Sequence, residues 1–142
     1  MKRENTEARL AQMREYNRNH MKQILDYQNK YKLDKIKKDP LYRLEINIRR
    51  LFQAHRKNGG YKATSKLNWI IGLPYNDYIT YIESTWAPGM NWSNYGRKKG
   101  CWNIDHIISP SSGRDVAEVT SLFHFLNTRA LWAEENTKKK NY

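Results

Sequence analysis

Residues 1–38 contain no Gly and no Pro and are polar and basic throughout. Such a stretch has nothing to break a helix and too little apolar surface to form a core of its own. Leu10, Met13, Asn17, His20, Ile24, Tyr27 and Tyr31 recur at steps of three and four, which predicts one long helix with a semi-apolar stripe interrupted by Asn17 and His20. Any core must then come from the remaining residues of the 142. A chain of this size suits one compact domain with an appendage. Five Trp, ten Tyr and three Phe supply large buried areas despite a mean hydropathy of -0.97.

Charge narrows the function. The chain has 26 Lys and Arg against 14 Asp and Glu, a formal +12. A field of that size attracts polyanions and releases counterions from a phosphate backbone. Residues 1–60 hold 16 basic against 7 acidic side chains, and residues 61–142 hold 10 against 7. The N-terminal part is therefore expected to grip nucleic acid, and the C-terminal part to do something more specialised.

Cysteine use excludes other classes. Cys101 stands alone, so there is no intrachain disulfide and no Cys-rich zinc site, and no structural zinc is expected. A site from Cys101, His106 and His124 would have spacings unlike compact zinc motifs. The first ten residues lack an apolar signal region, and no run approaches a membrane span. A soluble intracellular protein is expected.

Punctuation predicts the remaining elements. Asp39-Pro40 reads as a helix start, with Leu44, Ile48, Leu51, Phe52 and His55 at helical spacing and Gly59-Gly60 as the stop. Thr64 or Ser65 can cap a short helix through Trp69 and Ile71, closed by Gly72 and Pro74. A further helix is expected from about Asn76 to Thr85, with turns around Gly89 and at 93–96. The five Trp residues read as core. From Cys101 the order is strand (101–108), loop (109–113), helix (115 to about 123), strand (127–132) and helix (133–140), with Glu134 and Glu135 in the last helix's first turn.

The first of these strands carries Asp105-His106, an odd pair for a strand that only packs. Phosphodiester hydrolysis needs a base for water and a cation for phosphate charge. Neutral His suits the first task, and Asp with an Asn carbonyl suits a hard divalent ion. Adjacent strand residues point to opposite sides, so one can face a metal and the other the scissile phosphate.

Three strings, WNIDHI at 102–107, FHFLN at 123–127 and ALWAEENTKKK at 130–140, together resemble the HNH (ββα-metal, His-Me finger) endonucleases, most closely those of bacteriophages and large viruses, homing enzymes included. Residues 71–96 also look like the segment preceding the motif in phage members. The resemblance covers about half the chain. It implies an α+β fold, with a basic helical extension at 1–38, a helical region at 39–96 and a ββα-metal module at 97–142. It implies DNA cleavage with Mg²⁺ or Mn²⁺, and residence in the host cytoplasm if the chain is phage-encoded. By the same resemblance His106 is the general base, Asp105 and Asn136 hold the metal, and Asn127 braces the loop between the strands. Asn136 follows Asn127 by nine residues, as in many such sites. Lys138, Lys139, Arg97, Lys98 and Lys99 are candidate phosphate contacts. The rival expectation is a nucleic-acid-binding protein that keeps the scaffold without catalysis.

Overall fold

The computed structural model describes residues 2–56 and 66–139, which form an α+β chain. They divide into two units, Met1–Asp39 and Pro40–Tyr142.

The first unit is a single helix, α1 (Lys2–Lys38). The expected stripe does not segregate. Leu10, Met13, Ile24, Tyr27 and Tyr31 are exposed, and so are Tyr16, Met21, Leu25 and Leu33 at other phases of the helix. Apolar side chains spread round the axis in this way give no face to bury. The contacts within α1 include its own backbone bonds, a Lys38–Asp34 pair at 2.9 Å, and Tyr16 stacked on His20 at 5.8 Å. An exposed pair of that kind contributes about 0.3–0.5 kcal/mol.

The second unit begins with α2 (Pro40–Arg56), opened by Pro40 at its first position. Leu44, Ile48 and Phe52 fall on one face at steps of four and are buried. The proposed stop at Gly59-Gly60 and cap at Thr64 or Ser65 lie outside the described residues. Helix α3 (Leu67–Ile71) ends at Gly72, whose φ of 75° is left-handed. A Cβ there would also meet His124 Cδ2 at 2.5 Å, so glycine is required on both counts. Leu67, Ile70 and Ile71 take the buried face of α3. Trp69 points the other way and is 60% exposed, correcting its reading as core. Helix α4 (Tyr75–Ser84) buries Tyr78 and Ile82.

Strands β1 (Trp102–His106) and β2 (Thr128–Trp132) pair antiparallel, from Trp102 opposite Trp132 to His106 opposite Thr128. Between them lies helix α5 (Val116–Leu122), capped by the Asp115 carboxylate on the Glu118 N–H. Helix α6 (Ala133–Lys138) follows β2 without a loop and packs on both strands. Two strands alone are marginal in water. Here Trp102, 0% exposed, roots β1 in a cluster with Trp86, Trp92 and Tyr95, and its indole N–H donates to Asn91 O at 2.7 Å. No helix among the described residues is long and apolar enough to cross a membrane.

Buried phenols tie this unit to pH. Burial pushes the hydroxyls of Tyr75, Tyr78 and Tyr95 above their ordinary range. Tyr78 donates to Thr128 Oγ1 at 3.1 Å, Tyr75 donates to Leu41 O, and Tyr95 accepts from Asn47 Nδ2 at 3.0 Å. The unfolded chain therefore ionises first, and the folded state holds more protons above about pH 10. Stability from the neutral phenols is complete below that pH and falls as pH rises through it. We expect cooperative unfolding above about pH 10, with buried phenolate absorbance appearing together with loss of near-ultraviolet dichroism. Full tyrosine ionisation with the near-ultraviolet signal intact would contradict this.

Candidate active site

Asp105 and His106 are adjacent at the end of β1, opposite Arg129 and Thr128 of β2, and both line one cleft. Asp105 is 3% exposed, and a buried carboxylate must be compensated. Arg129, its partner across the ladder, donates Nε to Oδ2 at 3.0 Å. Lys139, just past the end of α6, donates Nζ to Oδ1 at 2.8 Å and Oδ2 at 3.1 Å. The same ammonium reaches the carbonyl oxygens of His106 at 2.8 Å and Ile107 at 3.2 Å.

Asn136 projects from α6 back to β1. Its Nδ2 donates to Asn103 Oδ1 at 2.6 Å and to Ile104 O at 3.3 Å. Those bonds fix the amide, and its Oδ1 accepts no hydrogen bond among the described residues.

His106 rests edge-on against Phe123, with ring centroids 4.9 Å apart. Burial draws its pKa down to about 4, against the opposing pull of Asp105 and with help from His55 and Lys139. The ring is neutral at neutral pH, and neither nitrogen has a hydrogen-bond partner among the described residues. A neutral, unengaged imidazole can take a proton.

Asn127 stands where the chain leaves the long connection for β2. Its Oδ1 accepts from Ile108 N at 3.0 Å. Its Nδ2 donates to Ile108 O at 2.9 Å and Leu122 O at 2.7 Å. Its backbone O accepts from Ile107 N at 2.8 Å. One residue thus ties the segment leaving β1 to the end of α5.

Asp105, His106, Asn136 and Lys139 line one cleft of about 290 Å³ together with His55 of α2. A neighbouring hollow of about 250 Å³ shares His106 and Asn136 and is bordered by Asn103 and the exposed Arg97. Lys98, Lys99 and Lys138 are exposed, with Lys99 Nζ 4.0 Å from Glu134. Lys139, expected at a phosphate, is turned inward because Asp105 needs a counter-charge.

Comparison with known protein families, curated proteins and solved structures found no match.

The donor chemistry of the cleft suits a hard cation. Carboxylate and amide oxygens are what Mg²⁺ and Mn²⁺ take. The four oxygens around the Lys139 ammonium already hold one positive charge. No three His, Cys, Asp or Glu side chains converge among the described residues, so a site here would rest on Asp105 and Asn136 with water and substrate oxygens.

Two residues escape a reading of sequence alone, His55 of the cleft wall and Arg129 bonded to Asp105. His55 falls at helical spacing in α2, a position that by itself gives it no role. Its Nδ1 is 2.9 Å from Leu51 O, so it carries the proton, and its ring meets Phe123 on a centroid distance of 6.1 Å. Arg129 becomes visible only through strand register, which sets it opposite Asp105.

Proposed function

We propose that the chain is a metal-dependent endonuclease of the HNH type, hydrolysing DNA phosphodiester bonds in homing or nicking. The observation that carries this reading is the convergence of Asp105, His106 and Asn136 on one cleft, from a strand–connection–strand–helix unit whose connection Asn127 braces. Asp105 and Asn136 would hold Mg²⁺ or Mn²⁺. The ion's contribution is Lewis-acid stabilisation of charge on the phosphate and leaving oxygen.

The chain's own residues supply the rest. Neutral His106 takes a proton from water. The water oxygen bonds to phosphorus, and the bond from phosphorus to the leaving sugar oxygen breaks. Asn136 is held ready by Asn103 and Ile104. Arg97, Lys98, Lys99 and Lys138 lie exposed where a phosphate backbone can reach them, and α1 adds basic length. Such contacts set affinity and its salt dependence rather than the chemistry.

One observation favours the rival, a nucleic-acid-binding protein without catalysis. Both Asp105 oxygens are already bonded by cationic side chains. Supercoiled plasmid decides between the two. We expect conversion to relaxed or linear DNA with Mg²⁺ or Mn²⁺, and none after exhaustive metal stripping with EDTA. Cleavage that survives stripping overturns the metal role. Tight DNA binding with no cleavage in any divalent metal favours the rival.

A further inference from the structure

We propose that Lys139 is a built-in cation that occupies the Asp105 oxygens a divalent ion would use and must be displaced when the ion binds; this rests on the metal reading of Asp105 above. The ammonium sits among four oxygens at 2.8–3.2 Å, two from the Asp105 carboxylate and one each from the His106 and Ile107 carbonyls. That is the environment of a bound cation, supplied from within the chain.

Asp105 carries one negative charge and meets two positive ones. Arg129 donates to Oδ2 alone, directly across the ladder, and leaves Oδ1 open. Lys139 closes Oδ1. A dication arriving at Asp105 therefore meets a like charge on the oxygen it needs, and the two cannot share it. Lys139 has a way out: it lies beyond the last residue of α6, and its side chain is 31% exposed. Asp105 does not, being 3% exposed on a paired strand.

The arrangement has two consequences. In the metal-free protein Lys139 keeps the buried carboxylate compensated, so the cleft is held in shape before metal arrives. With metal bound, the released ammonium stands at the rim of the same cleft, where a phosphate oxygen can take it. The cost is affinity, since every ion must first replace the lysine. A neighbouring charge shifts the equilibrium of a site like this by about one to three powers of ten.

The test is Mn²⁺ binding by the full chain without DNA, read as free Mn²⁺ by electron paramagnetic resonance. Lys139→Met keeps the side chain's length and removes its charge, and should lower the Kd for Mn²⁺ at least about tenfold. Lys139→Arg keeps the charge and should bind Mn²⁺ about as the wild type does. Asp105→Asn should bind much more weakly than any of these. Circular dichroism and a thermal melt establish that each variant is folded, and Lys139→Gln replaces the Met variant if that one is not. Asp105-dependent binding that neither neutral variant tightens overturns the role of Lys139 alone. Weaker binding in folded Lys139→Met does the same and makes the lysine a support for the carboxylate. No Mn²⁺ bound by wild type or any variant overturns the metal assignment, and this inference with it.

Discussion

Replacing His106 with alanine should slow plasmid cleavage by about 10² to 10⁴, the usual cost of losing a general base. DNA affinity should hardly change, because the imidazole is neutral at neutral pH and contributes no cation to the phosphate backbone. The loss should therefore fall on kcat rather than KM. The substitution also removes an edge contact with Phe123, which is 1% exposed in the core. That costs some stability, so rates must be compared well below the melting temperature. A further readout separates chemistry from support. The alanine leaves room beside Phe123, and free imidazole added to the variant should restore part of the rate. Cleavage by His106→Ala at the wild-type rate would exclude His106 as the base, and an unrescued loss with altered dichroism would make its role structural.

How far sequence alone leads to this site depends on the kind of information each residue carries. The Asp105-His106 pair could be singled out because both side chains are costly in a strand that only packs, whereas Asn127 and Asn136 came into view through the resemblance of their strings to the HNH endonucleases. Elements bounded by local chemistry were also readable: Pro40 opens α2 and Gly72 ends α3. What depends on tertiary packing was not. The apolar residues of α1 match a helical period in one chosen set, but the rest of the helix cancels it. Trp69 looks like core by residue type, yet Leu67, Ile70 and Ile71 already fill the one face that a five-residue helix can bury. Arg129 needs the register of two strands, and His55 needs α2 to fold over Phe123. Lys139 is the sharpest case. As one of three consecutive lysines it reads as a surface charge, and only the buried Asp105 beside it turns it inward.

Trp102→Ala should destabilise the second unit by about 3–5 kcal/mol, the range for deleting a large buried aromatic. Against a total of about 5–15 kcal/mol for a typical domain, that is about a fifth of the margin at the least. The melting temperature should fall by about 10–20 °C. Trp102 is 0% exposed, touches Trp86, Trp92 and Tyr95, and spends its indole N–H on Asn91 O. The substitution thus leaves a cavity and an acceptor without its donor, two separate costs. It also loosens the start of β1, three residues before Asp105, so cleavage should fail at temperatures where the unit is still mostly folded. Trp86 offers an internal comparison. Its indole N–H is buried with no partner among the described residues, so Trp86→Phe removes a cost as well as packing and should be far milder than Trp102→Phe. The measurement is a thermal melt followed by near-ultraviolet dichroism, which reports the packed aromatics of the second unit and is blind to the backbone of α1. If Trp102→Ala melted within about 3 °C of the wild type, the tryptophan cluster would not be what seats β1.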